Sequence, residues 1–191
     1  MKGYIYTMFA GADPGVGWHM TDPIFGKTPT LGACMPNVRR YVSVGDYVFV
    51  VSGRAAGVNQ YVVGGFKVAE KIHALAAYNR FPQNRLVRLP NGELSGNVIV
   101  DTTGRHHILD YHDAFQRRLE NYIVGRDPVQ LKKPEEVMLG REKSLPILQR
   151  LFDVRHANRI ADVIGRMRKL DEKQIERLLD QLRRIKEAAH G

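Results

Sequence analysis

Two short runs limit what this chain can fold into: "GDYVFVVSG" at residues 45–53 and "QYVVGGFKVAEKI" at 60–72. Both are dense in Val, Tyr and Phe, and both are bounded by turn-forming residues, the pattern of β-strands. The short Gly/Ala/Asn segment between them predicts an antiparallel pair. Gly64-Gly65 inside the second run marks a bulge or a place where another backbone or ring comes close. A third run, "YIYTMFA" at 4–10, is stopped by "GADPG" and reads as an opening strand. Gly11 to Met35 then has no sustained period, which makes a loop of unusual length, the kind that carries function or moves.

Further along, "ALAAYNRF" reads as a short helix, while "RLVRL" and "NVIVD" flank the turn "PNGELSG". "DYHDAFQRRLENYI" carries Phe115, Leu119, Tyr122 and Ile123 on one helical face. After "GRDPVQLKKPEE" the pattern is helical alone, ending in a stripe of Ile175, Leu178, Leu179, Leu182 and Ile185. That stripe must be covered by its own domain, a neighbouring helix or a second subunit. The expected fold is α+β: a small mixed or antiparallel β-barrel with flanking helices over residues 1–130, and an all-helical extension over 131–191.

The chain carries 29 Lys and Arg against 20 Asp and Glu, a formal net charge of +9 that suits a polyanionic partner such as nucleic acid or a nucleotide. No apolar run reaches membrane-spanning length and the start lacks a signal-peptide pattern, so no membrane partner and a cytoplasmic location are expected. Cys34 is the single cysteine, which excludes an internal disulfide and a Cys-based zinc site within one chain.

"FGKT" at 25–28 resembles the end of a phosphate-binding loop, but the leading glycine is replaced by Thr21, and Pro29 opposes the helix that must follow. The loop reading therefore fails. His106, His107, His112, Asp110 and Asp113 crowd one stretch without the spacing of a known metal motif. They read as turn and surface residues, with Asp110 or Thr103 capping a helix, and neither a metal nor a cofactor is expected. Cys34 with a distant histidine is too generic to define a nucleophile. Glu135 and Glu136 follow Pro134 in a first helical turn, where acids favour the helix dipole.

One group of residues stands out in the long loop. Trp18, His19, Phe25 and Lys27 supply an aromatic face and polar groups of the kind that hold a single base, and Arg39, Arg40 and Arg54 supply phosphate contacts. Trp18 reads equally well as a core anchor. Lys27, Thr28 and Asp22 offer the residue types of a water-activating site within one loop.

The order of elements resembles the PUA-like superfamily, which includes EVE, ASCH and YTH domains. Val44, Gly45, Asp46 and Tyr47 match one of its phrases, and Val63, Gly64, Val68, Ala69 and Glu70 match a second. Over residues 1–130 the chain is similar to bacterial and phage nucleotide modification associated domains, type 2. The resemblance implies a nucleic-acid-binding module that recognises or accompanies modified bases. It also leaves an enzymatic alternative, an amidohydrolase-like activity on a nucleobase or nucleotide. A helix-mediated dimer or docking protein is the third reading.

Overall fold

A computed structural model describes all 191 residues. Its strands and helices, in chain order, are β1 (Gly3–Thr7), β2 (Thr30–Leu31), α1 (Pro36–Tyr41), β3 (Tyr47–Val51), β4 (Val62–Ile72), α2 (Ala74–Arg80), β5 (Val87–Arg88) and β6 (Leu94–Ser95). Then follow α3 (Gln116–Leu119), β7 (Tyr122–Gln130), α4 (Pro134–Phe152), α5 (Ile160–Ile164), β8 (Met167–Leu170) and α6 (Glu172–His190). The class is α+β with six helices and a mixed six-stranded sheet in the order β2-β7-β4-β3-β1-β8, alongside the small hairpin β5-β6.

The sheet is open, which corrects the expectation of a closed barrel. Its end strands β2 and β8 each have one neighbour, and β2 is only two residues long, too short to close a ring of strands. The sheet is mixed because β1 runs parallel to β3 in the register Gly3 to Tyr47 and antiparallel to β8 in the register Gly3 to Leu170.

The chain divides into two compact units built from interleaved segments. One comprises Met1–Trp18, Asp46–Phe66 and Val129–Gly191, the other His19–Gly45 and Lys67–Pro128. β4 runs through both. In the first unit α6 lies against β1, where a side chain at Gly3 would meet Ile175 at 3.1 Å. All five residues of the predicted stripe, Ile175, Leu178, Leu179, Leu182 and Ile185, are buried within the chain, so no second subunit is needed to cover them. A close approach also explains Gly65, whose added Cβ would come within 2.3 Å of the Phe49 ring.

The C-terminal segment is not all helical. Gly165 ends α5 with a positive φ of 61°, and the next residues extend into β8 alongside β1. The predicted helix over "DYHDAFQRRLENYI" is also shorter than expected: it covers only Gln116–Leu119 and gives way at Asn121, with φ 63°, to β7. There the strand neighbours of Tyr122 and Ile123 in the sheet override a helical spacing of apolar residues.

Glu136 ties the two long helices of the first unit together. Its carboxylate is 1% exposed and accepts from the backbone N–H groups of Lys132 at 2.7 Å and Lys133 at 3.1 Å. From α6, Lys186 Nζ lies 2.9 Å away and His190 Nε2 2.8 Å away. Burial pushes this carboxyl upward, but Lys186, the two amides and His190 outweigh it and hold the pKa at about 2 against an ordinary 4.5. A depressed pKa stabilises the fold above the ordinary value, and that stabilisation is lost as pH falls through the folded one. Glu136→Gln is therefore expected to lower unfolding free energy at pH 7 by about 1–3 kcal/mol, the cost of disturbing a buried charged hydrogen-bond set. Urea denaturation should show the gap to wild type closing between pH 4.5 and pH 2.

Candidate active site

Thr30 sits at the base of a small hairpin, paired with Ile24 through two backbone hydrogen bonds of 2.9 Å, and residues 25–29 form the tip. Just before this hairpin lies Asp22, 6% exposed. Its two oxygens receive the backbone N–H groups of Gly32 at 2.8 Å, Ala33 at 2.9 Å and Cys34, together with Asn97 Nδ2 at 2.8 Å. A buried carboxylate is tolerated only when it is satisfied in this way.

Asn97 extends the network. It also donates to Thr30 Oγ1 at 3.0 Å and accepts from the Tyr122 hydroxyl at 2.7 Å, while Asn84 Nδ2 reaches both Thr30 Oγ1 and the Tyr122 oxygen. Behind it stands an apolar cluster of Ala74, Ala77, Phe81, Val98, Val100, Tyr122 and Val124. Only glycine fits at position 32, since a Cβ there would come within 2.2 Å of the Tyr122 ring and 2.5 Å of the Asn97 carbonyl oxygen.

This frame places the Cys34 thiol opposite a histidine from far along the chain. Cys34 Sγ lies 3.8 Å from His112 Nε2, and His112 Nδ1 lies 2.6 Å from Asp110 Oδ1. The Asp110 side chain is 2% exposed, and its carboxylate accepts a hydrogen bond from Nδ1–H, which leaves the Nε2 lone pair facing sulfur. The other Asp110 oxygen meets His106 Nε2 at 2.6 Å. His106 stacks on Phe115 with ring centroids 4.3 Å apart, and Tyr111 stacks on His112 at 4.9 Å. The order of groups, sulfur to imidazole to carboxylate, is that of a nucleophile with a general base and an orienting acid.

The electrostatics define how such a site can work. Burial first and the Asp22 carboxylate second push the Cys34 thiol from an ordinary 9.0 to about 12, against the opposing pull of Arg118 and Arg39. The resting sulfur is therefore a thiol. It can attack only if His112 removes its proton during the attack, as a serine hydroxyl requires. Burial raises the Asp110 carboxyl, but hydrogen bonds from His112 and His106 prevail and leave it below the ordinary value, ionised and able to stabilise an imidazolium.

Two guanidinium groups flank the thiol. Arg39 is fully buried and donates to the carbonyl oxygens of Cys34 at 3.0 Å, Arg118 and Glu120 at 3.3 Å, Asn121 at 3.2 Å and Ala33 at 3.4 Å. Arg118 donates to the Ala33 oxygen at 2.6 Å and to the Asp113 oxygen at 2.8 Å.

The residues singled out in the sequence fall elsewhere. Arg39, expected on phosphates, is withdrawn from solvent and holds the loop around Cys34. Arg40 and Arg54 are exposed, and Arg40 leans over the Tyr41 ring. Trp18 is half-buried and meets Phe9 edge-on at 5.5 Å within the first unit, whereas His19, Phe25 and Lys27 belong to the second. His19 is exposed beside Ser95 Oγ, and Lys27 and Thr28 are exposed at the hairpin tip. Asp22 lies on the other side of the hairpin base and is already saturated by four donors, so it cannot serve as a base alongside Lys27 and Thr28. Asp110 caps no helix.

The pairing of Cys34 with His112 was missed because 78 positions separate them. The crowding of His106, Asp110 and His112 was visible.

Two outcomes check this description. Absorbance at 240 nm should show no thiolate in the native protein between pH 7 and pH 10, while the urea-unfolded chain titrates near 9.0. Gly32→Ala should destabilise the fold by about 1–3 kcal/mol in denaturant titrations, because overpacking forces the Tyr122 ring or the Asn97 backbone to move. No family model matches this sequence, and no curated protein shows detectable similarity to it.

Proposed function

We propose that this protein is an enzyme acting on a nucleobase or nucleotide, free or within a nucleic acid, with Cys34 as nucleophile, His112 as general base and Asp110 as the group that orients and stabilises it. The observation that carries this reading is the alignment of Cys34 Sγ, His112 Nε2 and Asp110 through His112 Nδ1, at 3.8 Å and 2.6 Å. The net charge of +9 supports a polyanionic substrate.

The chemistry is that of a covalent hydrolase of the amidohydrolase kind. The sulfur electron pair forms a bond to an electrophilic carbon of the substrate as the thiol proton passes to Nε2. The imidazolium so formed is stabilised by Asp110 and protonates the departing nitrogen as its bond to carbon breaks. Water, deprotonated by the same imidazole, then attacks the carbon; the carbon–sulfur bond breaks with its electron pair returning to sulfur, which takes the imidazolium proton and becomes the thiol again.

A binding module for modified bases is the competing reading, favoured by the exposure of His19, Lys27, Arg40 and Arg54. Incubating the protein with nucleosides, nucleotides and oligonucleotides that carry modified bases, with mass spectrometry of the products, separates the two. Turnover is expected, vanishing in Cys34→Ser and falling by about 100-fold or more in His112→Asn, the range of a lost general base. Salt-sensitive oligonucleotide binding with no turnover, and with binding unchanged in Cys34→Ser, would leave the binding module standing and sink the enzyme.

A further inference from the structure

Arg39 and Arg118 both donate to one oxygen, the Ala33 carbonyl, at 3.4 Å and 2.6 Å, so two positive charges converge on the residue that precedes Cys34. Like charges brought together repel, which disfavours the charged form of the more deeply buried one. For Arg39 this is visible: its pKa is lowered to about 10, by burial first, with the Asp22 carboxylate opposing and the charge of Arg118 adding to the decrease.

The carboxylates nearby are engaged by other donors. Asp22 is a single charge, and its two oxygens are filled by three backbone amides and Asn97. Asp110 is engaged by His106 and His112. The Asp113 side chain is exposed, and only its carbonyl oxygen meets Arg118. Both guanidinium groups thus donate to backbone carbonyl oxygens alone, and neither forms an ion pair with a carboxylate.

The two arginines also differ in what they have left to offer. Arg39 is fully buried and engages five carbonyl oxygens. Arg118 is half-buried, its Nε and Nη1 are engaged, and its Nη2 makes no hydrogen bond within the protein and is not sealed from solvent. Its charge is felt at the Cys34 sulfur. A rigid, planar donor held by two carbonyls beside a nucleophile is preorganised for an oxyanion.

We propose that Arg118 is a specificity-determining residue whose Nη2 binds an oxyanion of the substrate, a phosphate or a carboxylate, and holds it beside the Cys34 thiol. This rests on the reading of Cys34 as the nucleophile. It narrows the substrate to molecules that carry an anionic group close to the electrophilic carbon, where the bound anion would meet the Nη2 donors that no protein group engages.

Alkylation of the single cysteine tests this without knowledge of the substrate. Iodoacetate and iodoacetamide deliver the same carbon to sulfur, one with a carboxylate and one without. The ratio of their rate constants with the native protein, divided by the same ratio for the urea-unfolded chain, reports anion recognition alone. The quotient is expected to be about ten, the effect of one partly screened ion pair. It should fall to near one in Arg118→Gln and recover in part in Arg118→Lys, which restores the charge without the fork. The iodoacetamide rate and the melting temperature serve as checks that each variant is folded.

At constant ionic strength, slowing of both reagents by inorganic phosphate identifies a phosphate, and slowing by acetate in its place identifies a carboxylate. A quotient of one in the wild type, or a high quotient that survives in Arg118→Gln, overturns the proposal. Failure of the Cys34 reading looks different: the iodoacetamide rate would then be the same in His112→Asn as in the wild type, whatever the quotient.

Discussion

The carboxylate of Asp22 is the constraint on which the second unit depends. A buried charge of this kind costs several kcal/mol unless every oxygen is satisfied, and here four donors converge on it. Three of them are consecutive backbone amides, so one side chain fixes the path of residues 32–34 and with it the position of Cys34. The polar network continues through Asn97 to Thr30, Asn84 and Tyr122, all buried. Breaking any one link strands another polar group away from water, which gives the network its cooperative character.

The same charge has a second effect. Together with burial, the larger cause, it raises the Cys34 thiol and suppresses the thiolate that makes an exposed cysteine prone to oxidation and indiscriminate alkylation. Reactivity then depends on His112, and His112 depends on Asp110. That carboxylate is almost wholly buried, yet it is shared between two imidazoles, one of which, His106, is more than a third exposed. The thiol is thus joined to solvent through imidazole, carboxylate and imidazole, with every link between Asp110 and the two rings 2.6 Å long.

Much of the fold was legible in the sequence, and the reasons are local. The runs at 45–53 and 60–72 contain β3 and β4, and the run at 4–10 contains all of β1 but Gly3, because β-branched and aromatic residues bounded by turn residues have few other ways to be buried. The stripe from Ile175 to Ile185 is buried as its period requires, and Glu136 sits in the first turn of α4 as its neighbour Pro134 suggested. What failed was non-local. Strand β8 has only four residues, and its pairing with β1 joins positions more than 160 apart. The apolar spacing of Phe115, Leu119, Tyr122 and Ile123 is helical in the sequence but divided between α3 and β7 in the structure. The pairing of Cys34 with His112 is non-local in the same way. Residue types marked His106, Asp110 and His112 as unusual, but nothing in their spacing could name Cys34 as their partner. Arg39 was read as a surface cation because the sequence does not display the ring of carbonyl oxygens that makes burying it tolerable.

The engagement of the amides at 32–34 also limits which chemistry the thiol can perform. In acyl transfer the charge that develops on a substrate oxygen is usually met by preorganised backbone N–H groups beside the nucleophile. At Cys34 those groups face Asp22, and their partner is a carboxylate of the protein itself. A negative charge arising next to the sulfur is therefore not met by these three amides, and among the side chains around Cys34 it is Arg118 that keeps an unengaged N–H. A side-chain donor of this kind selects among substrates by their charge, whereas an amide cradle would accept any carbonyl.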